Sequence, residues 1–378
     1  MKKITLFIGT LSTILLTATA QETGKHPIQL SGYLQTQYQY EEQGAETFHR
    51  VGIRRGRIKI AHEEGLTSGV IQVDLTEKGI ALKDAYLNLK DPWLHTLQLR
   101  AGVFNRPFGH EIGYSSSQRE SPERSTVFRT LFPDERDLGL MLVLQAPGTS
   151  SWHFLKLEAG LFAGNGIQPE IDNRKDFIGH LSANRTAGRF SWGAGVSYYN
   201  GGVYQGTDQV YKMQGKRFVA DAAARAGLFS RREYAGADAQ LRWKNRLGTT
   251  RFRAEYLQGQ QPGTATSSQS PHSSTLPAAD TYLRRFQGGS VLCVQDIGTL
   301  PFSAVLKYDW YDPNTEVAGD DAPAAADVSR HTFGFGALWR INNRLRLQAF
   351  YEINAHETAV SIEQAAADVL TLRLQYKF

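Results

Sequence analysis

Apolar and polar residues alternate along most of the chain in short segments. In the first segment, 28–40, leucines and tyrosines fall on one face and glutamines on the other, as in a β-strand with one apolar side. There are about sixteen such segments, at 28–40, 51–62, 70–75, 80–89, 97–104, 138–145, 152–162, 176–183, 190–199, 232–243, 249–258, 285–295, 300–311, 329–341, 344–354 and 368–378. This pattern predicts an all-β fold, a transmembrane antiparallel β-barrel of about 16 strands.

The connections between these segments alternate in length. Every second one is a short turn, at 62–65, 90–92, 146–148, 184–186, 245–247, 296–298 and 342–343. The remaining connections include nearly all of the long loops, at 104–137, 163–175, 200–231, 259–284, 312–328 and 355–367. Short turns at one end and long loops at the other are typical of outer-membrane barrels. The strand pattern continues on both sides of every loop, so we expect a single domain over 21–378.

The first twenty residues have the pattern of a secretory signal peptide. A charged start with Lys2 and Lys3 precedes a short apolar run, and the segment ends in Ala18, Thr19 and Ala20. No later run approaches the roughly 18 consecutive apolar residues that a membrane helix needs. A chain of this kind can cross a membrane only as a closed barrel. We therefore expect a signal peptide over 1–20 and a barrel in the outer membrane of a Gram-negative bacterium, in contact with its lipid.

Charge and cysteine content exclude several classes of protein. Without Lys2 and Lys3, the 42 basic residues become 40 against 37 acids, an excess too small to indicate a nucleic-acid binder. A single cysteine, Cys293, can form neither an intramolecular disulfide nor a cysteine-based zinc site. Calcium could bind in external loops at Asp172, Asn173 and Asp176, with Asp312 and Asn314, but polar turn formation is the simpler interpretation. We expect no metal and no cofactor.

The connection after the fifth segment, 104–137, is long, charged and free of any periodic pattern. Loops of this length inside a compact domain are usually functional, so we expect it to fold into the barrel and narrow the pore. Between 106 and 136, five arginines are balanced by five acids. That balance allows either a transverse field across the pore or salt bridges that lock the loop in place. The predicted constriction residues are Arg106, Arg119, Glu120, Glu123, Arg124 and Arg129.

The polar faces of the segments carry more bases than acids. The thirteen bases are Arg55, Arg57, Lys59, Arg100, Lys156, Arg242, Arg251, Arg253, Lys307, Arg344, Arg346, Arg373 and Lys377. The seven acids are Asp74, Asp84, Glu158, Asp238, Glu255, Asp309 and Glu352. A positive lumen concentrates anions, and arginine binds phosphate or carboxylate through two parallel donors. The pattern favours a weak anion preference, although an excess of six could also be the ordinary charge of a barrel interior.

Two further basic features have alternative interpretations. Arg54 falls on the apolar face, so it either reaches lipid headgroups or joins Arg55 in the pore through a β-bulge. Ahead of its last residue, Arg231, the loop 200–231 carries four bases and only two acids, Asp208 and Asp221. We expect these bases to form an anion funnel: Lys212, Lys216, Arg217 and Arg225.

Several ordered motifs together resemble the phosphate-selective porin O/P family. They are RRGRIKI at 54–60, DAYLNL at 84–89, LRAGVFNRPFGHE at 99–111, ERSTVFRTLFPDERDLGLML at 123–142, GNG at 164–166, DNRKDF at 172–177 and YDPN at 311–314. The resemblance implies a sixteen-stranded homotrimeric barrel constricted by the loop after the fifth strand. It also implies a pore that passes small anionic solutes along its arginines. Phosphate selectivity is a narrower claim than membership, because many relatives with this signature are general or anion-preferring porins.

Two other classes of function compete with a channel. His180 with Ser182, or His153, could suggest a hydrolase, but the chain has no nucleophile elbow, HExxH motif or phosphate-binding loop. The Ser/Thr/Pro-rich loop 261–279 could belong to a non-conducting adhesive barrel. We expect a channel and no enzymatic activity.

Overall fold

The computed structural model describes residues 28–44, 46–359 and 366–378, and the signal peptide predicted for 1–20 lies outside them. No helix in the described ranges is long and apolar enough to cross a membrane. The strands are β1 (Gln29–Gln43), β2 (Glu46–Glu64), β3 (Thr67–Thr76), β4 (Gly79–Lys90), β5 (Leu97–Asn105), β6 (Arg136–Gln145), β7 (Leu155–Phe162), β8 (Asp176–Ala187), β9 (Phe190–Tyr204), β10 (Val210–Gln214), β11 (Arg217–Ala220), β12 (Phe229–Asn245), β13 (Gly248–Gly263), β14 (Thr281–Asp296), β15 (Phe302–Asp312), β16 (Arg330–Arg340), β17 (Leu345–His356) and β18 (Asp368–Lys377). One α-helix, α1 (Thr126–Leu131), lies between β5 and β6.

Sixteen of these strands form one closed antiparallel barrel within the described residues, namely all except β10 and β11. β1 closes the sheet by pairing with β2 on one side and β18 on the other, with Tyr33 opposite Lys377. Closure leaves no unpaired sheet edge along the wall. The predicted fold and strand number are confirmed. The short turns lie at one end of the barrel, here called the turn end, and the long loops lie at the loop end.

The hairpin of β10 and β11 was not predicted. It lies within the loop 200–231 and turns at Gly215, whose φ of +61° is in the left-handed region that favours glycine. β10 continues alongside the loop end of β14, where Val210 is opposite Thr281 in a parallel pairing. The β-branched and aromatic residues on each side of this glycine, at 210–211 and 218–219, were a local signal for the hairpin.

The largest apolar core among the described residues lies inside the barrel. It joins aromatic residues of the segment between β5 and β6 to aromatic residues of the wall. Phe132, which follows α1, has its ring centroid 5.7 Å from that of Tyr234 on β12 and 5.0 Å from that of Phe108. The other large members include Phe104, Phe128, Phe162, Tyr199, Phe286 and Tyr311. Apolar burial therefore attaches this segment to the inside of the wall.

Replacing Phe132 tests this attachment. Phe132 is 1% exposed, so Phe132→Ala should lower the free energy of unfolding by about 3–5 kcal/mol through lost contacts and a residual cavity. Phe48, which is 41% exposed on β2, provides a matched control, and Phe48→Ala should cost under about 1 kcal/mol. Urea unfolding in detergent measures both values. Equal losses in the two variants would contradict the internal core.

Candidate functional site

The connection between β5 and β6, residues 106–135, crosses the inside of the barrel, and we call it the inner loop. Gln35 on β1 donates a hydrogen bond of 3.1 Å to the carbonyl oxygen of Ser116. The backbone amide of Thr126 donates one of 3.0 Å to Asp309 on β15. Further wall partners are Ser197 on β9, Glu255 on β13, Gln348 on β17 and Arg373 on β18. These strands surround the lumen, so the inner loop contacts the wall on several sides.

Glu123 is the main ionic anchor of the inner loop. Its carboxylate accepts hydrogen bonds from Arg54 at 2.7 Å, Arg55 at 3.1 Å and Arg373 at 2.8 Å. Burial by itself would raise the pKa of Glu123, but the three arginines outweigh it and hold that pKa well below its ordinary value. The carboxylate is therefore ionised at neutral pH and links the inner loop to β2 and β18.

A β-bulge brings Arg54 to this carboxylate. The register of β1 and β2 places Gln35 opposite Arg55 but Thr36 opposite Ile53, which leaves Arg54 as the extra residue. Of the two alternatives open from the sequence, the structure has the bulge, and Arg54 points inward beside Arg55. The alternation of inward-facing and outward-facing side chains along β2 therefore shifts by one residue at this point.

A second bulge brings another cation to the inner loop. The register of β3 and β4 shifts between Gln72 and Val73, which leaves Lys83 as the extra residue on β4. The Lys83 ammonium lies 3.0 Å from the Asp134 carboxylate. A hydrogen bond from His272 and the charge of Lys83 outweigh burial and lower the pKa of Asp134. Each bulge thus supplies a cation to an acid of the inner loop.

Glu120 is the second anchor, on the opposite side of the lumen. Arg253 on β13 lies 2.7 Å from its carboxylate, and Arg251 lies 3.6 Å away. The guanidinium of Arg253 also lies over the ring of Tyr114, 4.2 Å from its centroid. Arg251 and Arg253, both predicted to line the pore, are therefore partly neutralised by the inner loop.

The remaining acids of the inner loop are also satisfied. Glu135 binds Arg124 within the loop and Arg136 at the start of β6, and Arg136 lies 3.0 Å from Asp84 on β4. Burial would raise the pKa of Glu135, but Arg124 and Arg136 outweigh it and hold the pKa well below its ordinary value. Glu111 instead accepts hydrogen bonds from the amide and hydroxyl of Ser125. Salt bridges thus take up most of the charge of the loop.

Two cavities follow the wall formed by β1 to β5. One of about 840 Å³ lies in the loop-end half and is lined by residues that include Arg50, Arg54, Lys78, Lys83, Asp74 and Glu77. The other, of about 370 Å³, lies in the turn-end half, and its charged lining residues are Arg57, Lys59, Arg100, Arg124, Arg136, Lys377 and Asp84. Arg57, which lines the turn-end cavity, forms an ion pair at 3.4 Å with Asp74, which lines the loop-end cavity. Cations outnumber acids in both cavities.

Other predicted site residues lie away from these cavities. Arg106 is buried and donates to the carbonyl oxygen of Pro133, and Arg129 is exposed on α1. Lys307 on β15 pairs with Asp309 at 2.9 Å. Arg242 on β12 is exposed and lines a separate cavity of about 400 Å³ at the turn end. Arg119 is buried, and none of its side-chain nitrogens has a hydrogen-bond partner among the described residues.

The four bases of the predicted funnel do not form one cluster of free charges. Lys212 pairs with Asp221 at 2.5 Å, and Lys216 pairs with Asp321 at 2.6 Å. Arg225 donates to backbone carbonyl oxygens of its own loop. Arg217 at the start of β11 is exposed. The hairpin was not visible in the charge count, and its fold places neighbouring acids beside two of the lysines.

The residues that suggested a hydrolase or a metal site have structural partners. His180 on β8 lies 3.0 Å from Asp238 on β12. Asp176 binds Arg232 and accepts a hydrogen bond of 2.6 Å from Tyr199. Among the described residues, no group of three or more His, Cys, Asp or Glu side chains is placed to hold a metal ion.

Solved structures of outer-membrane proteins share this fold. OmpF of Salmonella typhi, in complex with daunomycin, superposes with a TM-score of 0.61 at 13% identity over 93% of this chain and 97% of that one. The fold is that of the outer-membrane porins. The outer membrane channel DcaP of Acinetobacter baumannii gives 0.57 at 13% identity over 93% and 97%. The trimer form of OmpT, an outer membrane protein of Vibrio cholerae, gives 0.56 at 12% identity over 93% and 99%. No family model and no curated protein sequence matches the chain.

Replacing Glu123 tests the ionic anchor. Glu123→Gln leaves three arginines without their carboxylate, so the free energy of unfolding should fall by about 3–5 kcal/mol. Glu233, which pairs with the exposed Arg231, is the control, and Glu233→Gln should cost under about 1 kcal/mol. Because the folded pKa of Glu123 is depressed, its contribution is present above an unfolded pKa of about 4.3 and is lost only as the pH falls through the folded value.

Thermal and urea unfolding in detergent at pH 7 and pH 5 measure the effect. The loss caused by Glu123→Gln should be nearly the same at both pH values. Stability of the variant equal to that of the native protein would contradict the anchor.

Proposed function

We propose that this chain is a porin of the Gram-negative outer membrane, through which small hydrophilic solutes diffuse passively with a weak preference for anions such as phosphate. The observation that carries the proposal is the passage along β1 to β5, where two cavities with a cationic excess follow one wall. The fold shared with the channel DcaP supports the same function.

The turn-end cavity supplies most of the uncompensated charge. Its cations Arg57, Arg124 and Arg136 have carboxylate partners. Its other cations are Lys59, Arg100 and Lys377, for which the described residues provide no carboxylate partner. Arg100 is instead held by the side-chain carbonyl of Asn88 at 2.8 Å. These three charges face an anion in the cavity directly, and a low-dielectric wall strengthens their field.

The inner loop constricts the barrel on its other side. The wall there carries most of the acids predicted to face inward: Asp238, Glu255, Asp309 and Glu352. Phe128 and Phe132 pack beside this wall, and the Thr126 amide binds Asp309. Solutes are thereby displaced from the acidic side toward the basic side. The anion preference then depends on the position of the loop as well as on the charge of the wall.

Selectivity for phosphate is a stronger claim than the geometry supports. In the motif RRGRIKI, Arg54 and Arg55 bind Glu123, and Arg57 binds Asp74. Only Lys59 of that motif is without a carboxylate partner among the described residues. A guanidinium already engaged by a carboxylate binds a passing phosphate weakly. We therefore assign the chain a weak preference for anions in general.

We also propose that the protein is a homotrimer that associates through β3 to β6. The large exposed side chains on these four strands are aliphatic: Ile71, Ile80, Leu82, Leu87, Leu89, Leu97, Leu138, Leu140, Leu142 and Leu144. Exposed aromatic side chains lie mainly on β8, β9 and β12 to β18, including Phe177, Trp192, Tyr198, Trp243, Phe252, Tyr256, Tyr308, Phe335, Trp339 and Tyr376. Aromatic rings mark surfaces that meet the lipid interface. A face that lacks them fits contact with another subunit, and V. cholerae OmpT has a trimer form.

Two lysines of the turn-end cavity test the anion preference. A unit charge about 10 Å from an anion in water contributes about 0.4 kcal/mol. Replacing both Lys59 and Lys377 with Gln should weaken the attraction of an anion about fourfold and the repulsion of a cation about fourfold, so the anion-to-cation permeability ratio should fall about sixteenfold at low salt. Arg189→Gln with Arg246→Gln, in two short turns, is the matched control and should change the ratio little.

Reversal potentials across a planar bilayer, in chloride and in phosphate gradients, measure these ratios. A purified protein that does not conduct would refute the porin and favour a binding barrel. A conducting protein with cation selectivity would refute only the anion preference.

Bulky substitutions test the subunit contact. Leu87→Trp on β4 should convert trimers to monomers, because the larger ring cannot pack in a close interface. Leu372→Trp on β18, among the aromatic residues, should leave the trimer intact. Light scattering after gel filtration in detergent gives the mass. A monomeric native protein would refute the trimer, and a trimeric Leu87→Trp variant would refute this contact face.

A further inference from the structure

The connection between β13 and β14, residues 264–280, packs onto the inner loop, and we call it the strap. The backbone amide of Ser270 donates a hydrogen bond of 3.1 Å to the carbonyl oxygen of Thr130 in α1. The hydroxyl of Ser270 also lies 3.2 Å from that of Tyr234, a buried residue of β12. The Ser/Thr/Pro-rich loop that suggested an adhesive barrel therefore has its middle part inside the barrel, against the constriction.

The strap supports the last turn of α1. The last four carbonyl groups of a helix have no partner within the helix, and the strap supplies a donor to the one of Thr130. α1 has only six residues, and an isolated helix of that length is not stable in water. The helix inside the barrel therefore depends on contacts of this kind.

His272 connects the strap to the end of the inner loop. Its Nε2 atom lies 2.8 Å from one carboxylate oxygen of Asp134. Because a carboxylate only accepts hydrogen bonds, the imidazole ring donates through Nε2. The ammonium of Lys83 on β4 lies 3.0 Å from the other carboxylate oxygen. Asp134 is thus bound by the wall through one oxygen and by the strap through the other.

The corner that joins the inner loop to β6 has an unfavourable backbone conformation. The φ angles of Asp134 and Glu135 are +57° and +64°, in the left-handed region that residues other than glycine seldom adopt. Such residues persist only where surrounding contacts hold them. Two arginines hold Glu135, whereas Asp134 depends on Lys83 and His272. Loss of the strap contact would let this corner relax.

The GNG motif at 164–166, between β7 and β8, positions the strap. The side-chain amide of Asn165, which is 4% exposed, donates a hydrogen bond of 2.6 Å to the carbonyl oxygen of Ser273 and accepts one of 3.3 Å from its backbone amide. Gly166 leaves room for the ring of His272, because a Cβ atom at this position would lie 2.7 Å from Nδ1. The motif therefore fixes both the backbone of the strap and its histidine.

We propose that the strap is a built-in restraint that keeps the inner loop in its constricting position, with Asn165 and His272 as positioning residues. Asn165 attaches the strap to the connection between β7 and β8, and His272 extends that restraint to the corner at Asp134. Release of His272 frees the segment 126–135 without unfolding the wall. The effect on solute passage rests on the proposed function, whereas the restraint itself can be measured without conduction.

Hydrogen exchange of the inner loop in detergent, followed by mass spectrometry, tests the restraint. Loss of one hydrogen bond to a charged group changes a local opening equilibrium about tenfold. His272→Ala should therefore speed exchange over 126–135 about tenfold and leave the strands β15 to β18 unchanged. His272→Gln should restore nearly native exchange, because its side-chain amide can donate to the same carboxylate. Exchange as fast in His272→Gln as in His272→Ala would refute the role of this hydrogen bond.

Gly166→Ala tests the same contact from the side of the GNG motif. The added methyl group displaces the ring of His272, so this variant should exchange over 126–135 as His272→Ala does. Gly188→Ala is the matched control, because Gly188 also has a positive φ, +60°, but no heavy atom lies within 4 Å of its added Cβ. It should keep native exchange over 126–135. Native exchange in both His272→Ala and Gly166→Ala, or faster exchange over the whole barrel, would refute the restraint.

Single-channel recording connects the restraint with solute passage. His272→Ala should conduct with larger current fluctuations than the native protein, and His272→Gln should not. A His272→Ala channel with a steady current of native size, despite faster exchange of its inner loop, would refute the effect on passage. A native protein that does not conduct would refute the proposed porin, and hydrogen exchange would still decide whether the strap restrains the loop.

Discussion

The ionic contacts between buried carboxylates of the inner loop and arginines of the wall are the constraint on which the lumen depends. A carboxylate such as Glu123 can be buried only when cations lie within hydrogen-bonding distance. Arg55 and Arg373 reach it from the regular inward faces of β2 and β18, but Arg54 reaches it only through a bulge. The irregularities of the wall are thus placed where the loop requires charge. The same relation holds for Lys83 and Asp134 on the neighbouring bulge.

Apolar packing and ion pairing have different roles in holding the inner loop. The aromatic residues around Phe132 fill the side of the lumen next to β5 to β9 and β12 to β15, where water is excluded. Burial of apolar surface has no preferred direction, so it attaches this half of the loop without fixing its orientation. The ion pairs at Glu120 and Glu123 are directional and lie on opposite sides. Together they leave the two cavities along β1 to β5 open.

The sequence predicts the barrel well because its signal is local. Alternation of apolar and polar residues depends only on neighbours along the chain, and all sixteen predicted segments correspond to strands of the closed sheet. The contacts of the inner loop depend on residues such as Arg373, which is 250 positions from Glu123. No local pattern reports such a pairing. Arg54 is an intermediate case, because its position on the apolar face indicated an irregularity without deciding between the bulge and the lipid interface.

Counting charges and locating free charges lead to different descriptions of the lumen. Of the thirteen bases predicted to face inward, seven have carboxylate partners: Arg55, Arg57, Lys156, Arg251, Arg253, Lys307 and Arg373. The others are Lys59, Arg100, Arg242, Arg344, Arg346 and Lys377, and all six lie in the turn-end half of their strands or in a turn. At the loop end, by contrast, Lys212 and Lys216 are paired. The uncompensated bases of the wall are therefore concentrated toward the turn end. The anion preference proposed above therefore depends on these turn-end bases rather than on the total charge of the lumen.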